Sequence, residues 1–394
     1  MAIHVARLQK KVCCPFIVSS SRNANLIGMR IMIVTDAWFP QTNGVVSTLR
    51  QTAAWLGRFG HEVKIINPGD FHNVACPTYP EIRLSLLPYR KLKKAIIAFS
   101  PQALHIATEG PLGLAARRFC LRHGMCFTTS YHTQFPQYLR ARFPIPLTVS
   151  YRALRWFHGA AVRCMVSTAS VRLELASRGF KNPATWRRGV DTEVFKPYPK
   201  DFLTLPRPIA AYVGRVAVEK NVDAFLKMAW TGSKIVIGDG PERPRLEKQY
   251  PDATFVGYRF GEDLARHLAA ADVMVFPSRT DTFGLVNLEA MACGVPVAAY
   301  PVTGPIDVIE DGVTGALDVD LAMAARRALS IDPKACRERA LKSGWDVCSR
   351  EFERNLERSE ILAQPKLILA SRLVRESALD NASSSSIRPS RTRL

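Results

Sequence analysis

The densest cluster of chemistry-bearing residues lies in PSRTDTFGLVNLEAMACGVPV (277–297). Asp281 and Glu289 stand eight positions apart, with Gly284 between them and a helix expected to open near Leu285. The first amide groups of a helix have no partner inside it, so such an opening suits a phosphate, and a glycine there lets a ligand come close. A carboxylate in the loop and another one turn into the helix can accept hydrogen bonds from sugar or ribose hydroxyls. For Glu289 the plain alternative is a solvated helix-surface charge. Its apolar neighbours LEAMACGV weigh against that, because a carboxylate inside an apolar helix wants a ligand or a partner.

YVGRVAVEKN (212–221) places Arg215 and Lys220 just after an apolar run. Cations at a strand end suit a diphosphate: Arg can grip phosphate oxygens with two parallel bonds, and Lys acts as a point charge. Surface Arg/Lys pairs are common, so the spacing alone does not assign them. IGDGPER (237–243) reads on its own as a tight turn. TNGVVST (42–48) sets Gly44 at a helix start, a weak anion signal by itself. His132, in SYHTQFP (130–136), falls at a strand end, where structural histidines outnumber functional ones. Asp318-Val-Asp320 is the one Asp-x-Asp; it follows GVTGAL in an expected surface loop and is read as accidental, so no metal site is expected. Neither G-x-x-x-x-G-K-[ST] nor G-x-S-x-G occurs, so a kinase or hydrolase lacks its parts.

The elements that must hold these residues follow a repeated order. RIMIVTD (30–36) is a continuous apolar run of the kind buried on both faces of a parallel sheet. WFPQTNG (38–44) is a turn-rich loop, VVSTLRQTAAWLGRFG (45–60) has helical spacing, and HEVKIINPG (61–69) is a second strand. Strand, helix, strand is a βαβ unit. ALHIAT (103–108) and MCFTTSYHT (125–133) are further strands. Four prolines within 195–208 mark a linker, after which IAAYVGR, KIVIGDG, ATFVGY, DVMVFPS and VPVAAY repeat the pattern between 209 and 300. Two doubly wound α/β domains with a cleft between them at the strand C-termini fit best. The expected division is 29–197 and 198–366. Residues 1–28 read as a flexible extension, or Met29 as the natural start, and the Ser/Arg-rich 367–394 as a disordered tail.

The 394 residues are 47% apolar and 22% charged, ordinary globular proportions. The net charge of +20 is not evenly spread: 29–197 carries 23 basic against 8 acidic residues, while 198–366 carries 22 against 24. A basic first half points to an anionic partner, set against the plain reading of solubility. YRKLKK (89–94) and YLRARFPIPLTVSYRALRWFHGAAVR (138–163) mix cations with aromatic and aliphatic residues, as surfaces on anionic headgroups do; a solvated basic face is the alternative. Nine cysteines without a C-x-x-C pair suggest reduced thiols in a cytoplasmic setting. No apolar run reaches about 18 residues, so a spanning helix is not expected and any membrane association is peripheral, on the inner face of the cytoplasmic membrane.

Together, TDTFGLVNLEAMACGVPV with its D-x7-E spacing, VGRVAVEK, IGDGPE, the loop after the first strand and HTQFP resemble retaining glycosyltransferase family 4 from about residue 29 to 360. That family has the GT-B fold of two Rossmann-like domains facing a central cleft, which implies 29–197 as the acceptor-side domain and 198–366 as the nucleotide-sugar donor domain, with the last helix packing back on the first. SRTDTFGLV, YHTQFPQYLRARFP and RRGVDTEVF are most similar to GDP-mannose-dependent α-mannosyltransferases and sulfoquinovosyl-diacylglycerol synthase-like lipid glycosyltransferases. The resemblance implies that Arg215 and Lys220 bind the donor diphosphate and that Glu289 holds the ribose. Asp281 would sit near the transferred sugar, with backbone amides from Thr282, Phe283, Gly284 and Leu285, and His132 would contact the sugar. Gly44 would let the first helix approach the phosphates, and Tyr258 lies where the base is expected.

Two departures stand out. Asp281 is one methylene shorter than the family's Glu, and Asn43 replaces a Gly, so Asn43 either clasps substrate or holds a turn. The implied reaction moves a hexose, mannose favoured, from a nucleotide sugar (GDP-mannose over UDP-sugars) to a lipid or glycan hydroxyl without cofactor or metal. A nucleotide-sugar epimerase of similar fold is the second reading, disfavoured by the D-x7-E block. A nucleic-acid-binding protein has the charge but no motif, so no nucleic-acid partner is expected.

Overall fold

The computed structural model describes residues 28–41, 43–76, 79–142 and 145–359. Apart from Gly28, the extension and the tail expected from the sequence lie outside the described residues.

The chain builds two parallel sheets in succession. The first contains β1 (Arg30–Val34), β2 (Glu62–Ile66), β5 (Ala103–Ile106), β6 (Thr128–Tyr131), β7 (Arg163–Val166) and β8 (Pro183–Thr185), in the order β2-β1-β5-β6-β7-β8. A small antiparallel hairpin, β3 (Asn73–Cys76) and β4 (Tyr79–Ser85), branches off after β2. The second sheet contains β9 (Ile209–Val213), β10 (Ser233–Ile237), β11 (Thr254–Gly257), β12 (Val273–Phe276), β13 (Val297–Ala299) and β14 (Gly315–Leu317), in the order β11-β10-β9-β12-β13-β14. β9 and β12 are buried along their whole length, which is why the sequence there is an unbroken apolar run.

In each sheet the winding reverses beside one strand: β1 lies between β2 and β5, and β9 between β10 and β12. Ligand crevices open outside the C-terminal ends of the strands at such reversal points. The chain leaves β9 toward Arg215, β12 toward Asp281, and β1 toward Gly44. Topology alone therefore brings the expected site residues to one region.

β7, β8, β14 and the hairpin were not expected from the sequence. RCMV, PAT and GAL are too short to show a period, and the hairpin strands mix polar and apolar residues on a half-exposed surface. The proline-rich stretch after Phe195 holds one short 3-10 turn, Lys200–Phe202.

The helix Trp345–Asn355 packs along the first helix, Gly44–Arg58. Its Trp345, Cys348 and Phe352 share one apolar cluster with Met29, Ile31, Leu49, Leu56 and Trp186. A buried ion pair, His61 Nε2 to Glu353 Oε1 at 2.9 Å, ties the same helix to the start of β2. The end of the described chain thus completes the first domain's core after crossing back from the second.

Candidate active site

The loop after β9 is fixed from below. Tyr212 Oη donates to the Arg215 carbonyl at 2.8 Å, and burial raises the Tyr212 phenol well above its ordinary value, so it stays a donor. Val216 N donates to the Asp239 carbonyl at 2.9 Å, and Glu242 N to the Val216 carbonyl at 3.1 Å. Gly238 and Gly240 lie so close that a Cβ on either would overlap the Gly214 or Val216 carbonyl. IGDGPER is thus a backbone brace beneath the Arg215 loop, which gives its glycines a structural purpose.

On that platform Arg215 lies between two carboxylates, Glu219 Oε1 at 2.7 Å and Glu81 Oε1 at 3.2 Å. Glu81 belongs to β4 of the first domain and reaches across the cleft. Lys220 Nζ pairs with Asp281 Oδ1 at 2.6 Å. Asn221 Nδ2 donates to the Pro277 carbonyl at 3.1 Å, so the loops after β9 and β12 are joined.

The helix Leu285–Ala292 begins at Gly284, whose φ is +78° and which no side chain caps. A Cβ at Gly284 would lie 2.7 Å from the Phe276 ring and 2.6 Å from Asn287 Nδ2, so only glycine fits. Opposite, the helix Gly44–Arg58 starts so near that a Cβ on Gly44 would lie 3.3 Å from Leu285 Cδ1. Two helix N-termini with their positive dipole ends therefore meet at the cleft. Asn43 is the cap of the first helix, accepting from Val45 N at 3.0 Å and Val46 N at 3.1 Å, which is a turn-holding use of its side chain. The Phe283 ring is buried in the second domain's core, and its carbonyl accepts from Asn287 Nδ2 at 3.3 Å.

Glu289 accepts no side-chain hydrogen bond or ion pair from the described residues, and burial raises its carboxyl to about 7. A desolvated carboxylate without a partner is poised to take hydroxyl donors.

From the first domain, His132 follows β6. Arg188 donates through one terminal nitrogen to His132 Nδ1 at 3.0 Å, and His132 Nε2 is buried without a partner. Burial, with the Arg188 charge next, holds this imidazole well below its usual range and therefore neutral. Thr282 Oγ1 donates to the His132 carbonyl at 2.7 Å, and Ser167 Oγ to the Thr282 carbonyl at 2.8 Å. Ser170 bonds Asp307 through its amide at 3.0 Å and through its hydroxyl. The domains therefore meet through polar contacts around the cleft.

His132, Thr282, Leu285 and Gly44 are brought together, as are Lys220 and Asp281. Tyr258 follows edge strand β11, two strands out from β9, and stacks on Phe260 at 5.9 Å; it is also among the groups that act on the Tyr212 phenol beneath the Arg215 loop. The sequence reading missed Glu81 and Arg188, whose partners lie far off in the chain, and Glu219, whose i,i+4 spacing from Arg215 was a signal that could have found it. It also missed Asp36, whose carboxylate accepts from Thr108, Leu112 N and Gly113 N and caps the helix Pro111–His123. His158 and Glu109 pair at 3.1 Å behind β6. Burial alone would lower His158, but Cys164 and Glu109 beside it raise it to about 10. In the Asp-x-Asp, Asp320 caps the helix Leu321–Ala328, its side chain accepting from Ala322 N and Met323 N. Among the described residues no group of three or more His, Cys, Asp or Glu could hold a metal, and no helix is long and apolar enough to cross a membrane.

Two Rossmann-like domains, with cations and helix openings gathered where their switch-point strands face each other, make the GT-B fold. The chain belongs to glycosyltransferase family 4. Residues 42–194 match the family described as Glycosyltransferase Family 4, and residues 207–330 match Glycosyl transferases group 1. It is 31% identical to a GDP-mannose-dependent alpha-mannosyltransferase of Mycobacterium tuberculosis, over 74% of this chain and 84% of that protein. It is 28% identical to a sulfoquinovosyl transferase of Arabidopsis thaliana, over 82% of this chain and 72% of that one. Among solved structures, the HepE protein of Anabaena in complex with UDP and glucose superposes with a TM-score of 0.63, at 15% identity, over 82% of this chain and 98% of that chain.

Proposed function

We propose that this glycosyltransferase moves mannose from GDP-mannose to a hydroxyl of a lipid or glycan, with retention at the anomeric carbon. The observation that carries the donor site is Arg215 and Lys220 at a switch-point strand end, facing the uncapped helix opening at Gly284. As the nucleoside diphosphate departs it gains negative charge, and fixed cations and helix amides aimed there lower the barrier. Glu289 takes the ribose hydroxyls, and Asp281 with the 282–285 amides takes the sugar. His132 offers its Nε2–H to a sugar hydroxyl. Retention follows if the acceptor attacks on the face the phosphate leaves, with that phosphate as base, so no protein nucleophile is needed. The two cations do the work a metal would do, so the reaction proceeds in chelator.

GDP-mannose is favoured by the M. tuberculosis relative's name; the UDP in the HepE structure makes UDP-sugars the competing donors. The lipid acceptor is supported by the first domain's surface. Leu87 is 96% and Trp156 59% exposed, Arg117 stacks on Trp156 at 3.9 Å, and Arg118 and Arg122 flank Tyr89. Cations beside exposed aromatic and aliphatic groups suit an anionic lipid face, which would make the protein peripheral on the cytoplasmic side of a membrane. Thermal shift with GDP-mannose, UDP-glucose and ADP-glucose, followed by turnover on lipid acceptors in EDTA, tests the reading. Stabilisation by UDP-sugars alone overturns the donor; release of free sugar with no transferred product overturns the acceptor. Flotation with anionic vesicles that fails, or ignores salt, overturns the membrane face.

A further inference from the structure

We propose that Arg188 is a positioning residue that locks His132 as the Nε2–H tautomer, so that the ring presents one hydrogen-bond donor to the sugar. The proposal rests on the sugar contact assigned to His132 above and adds the device that makes the contact possible.

A neutral imidazole carries one proton on one of two nitrogens, and its partners decide which. Arg has only donors, so a guanidinium nitrogen 3.0 Å from Nδ1 forces Nδ1 to accept and puts the proton on Nε2. Nε2 is the atom left buried without a partner among the described residues. A buried donor with no acceptor is unfavourable, and a ligand hydroxyl or phosphate oxygen in the cleft relieves it. The arrangement is thus incomplete without a ligand, and of a defined polarity: it asks for an acceptor.

Arg188 is itself held so that it cannot follow the ring. Its other terminal nitrogen donates to the carbonyls of Trp186 and Arg187, and its plane lies over the Trp186 ring at 4.4 Å. Trp186 is fully buried and packs on Phe352 of the helix Trp345–Asn355, ring centroids 4.6 Å apart. The His132 ring meets Trp186 edge-on at 5.6 Å, and its backbone carbonyl is held by Thr282 from the second domain. The groups facing His132 are Arg188, His105 and His158, so protonating it would add a cation beside another. Lysine could not substitute fully: a single ammonium lacks the fork that serves His132 and the carbonyls at once.

The test uses the full chain. Long-range proton–nitrogen correlation NMR on histidine-labelled protein, with His132 assigned by loss of its signal in His132→Asn, reads the tautomer directly. The expected result is a proton on Nε2 and no titration across about pH 5 to 9, the range in which an unperturbed imidazole would change charge. A proton on Nδ1, or a titration in that range, overturns the proposal. Arg188→Met should lower kcat about tenfold or more with little change in donor KM, the size expected for one lost oriented hydrogen bond. In the His132→Asn background it should cost nothing further. An equal loss in both backgrounds means a merely structural arginine and overturns the positioning role. Arg188→Lys should recover part of kcat; if it matches Arg188→Met, the charge does not act through the ring. If His132→Asn is fully active, the sugar contact is wrong, while the NMR result still judges Arg188 independently. The wild-type NMR measurement holds even if Arg188→Met fails to fold.

Discussion

Arg215 is flanked by two carboxylates that should respond oppositely to the same change. Glu81 reaches it from the first domain at 3.2 Å and is 39% exposed; Glu219 lies on the same loop at 2.7 Å and is 7% exposed. A nucleoside diphosphate brings about two more negative charges to a site that already holds Glu81, Glu219 and Asp281 against Arg215 and Lys220. At least one carboxylate must give way, and Glu81 is the one on a separate, half-exposed hairpin. Removing its charge with Glu81→Gln should therefore tighten donor binding. An ion pair this exposed is worth about 0.2–1 kcal/mol, so the dissociation constant for GDP should fall by about 1.5- to 5-fold. Glu219→Gln should do the reverse, because a buried carboxylate holds the guanidinium fork in place and its loss frees Arg215 to wander. The assay is calorimetric titration with GDP at low and high salt, and the Glu81→Gln gain should shrink as salt rises. If Glu81→Gln weakens binding as Glu219→Gln does, Glu81 is part of the bound site and the competition argument fails.

Arg215→Ala and Lys220→Ala should each lower kcat/KM by about 100- to 1000-fold with unchanged melting temperature, read by product formation and differential scanning; near-normal turnover refutes the leaving-group assignment. Glu289 gives a pH prediction. Its folded value, raised to about 7, exceeds the ordinary 4.5, so the folded state holds the proton more tightly and loses stability as pH climbs from about 4.5 through 7. Glu289→Gln should therefore melt higher than the wild type at pH 8 and equal it near pH 4.5, and should lack the increase in GDP affinity expected of the wild type as pH rises through 7. Phe352→Ala, which empties a fully buried ring site between Trp186 and His105, should cost about 3–5 kcal/mol by urea unfolding; a loss under 1 kcal/mol would mean that the returning helix adds little to the first domain.

What the sequence showed and what it hid follow from how far each signal reaches along the chain. β1, β9 and β12 were legible because strands buried on both faces must be continuously apolar. Gly284 was legible because a positive φ before a helix leaves few alternatives. Glu289 was legible as an anomaly: a charge in an apolar helix. Glu81, Arg188 and Asp36 were hidden because each owes its place to a partner 56 to 134 positions away. Asn43 was ambiguous until the helix it caps was seen to begin at Gly44.

The same distinction explains how the site is divided. The groups written into local motifs, Arg215, Lys220 and the 281–289 block, all sit on loops of the second domain, where one short segment can supply amides, cations and carboxylates together. Glu81 and Arg188, whose partners only the fold reveals, come from the first domain and act on a partner rather than on a ligand. Glu81 modulates an arginine across the cleft, and Arg188 sets the proton on a histidine. A donor site can thus be carried by contiguous sequence while its tuning is spread over the chain. Substitution at Glu81 should accordingly adjust affinity by a few-fold and at Arg188 the rate by about tenfold or more, whereas substitutions at Arg215 and Lys220 should lower kcat/KM by about 100- to 1000-fold.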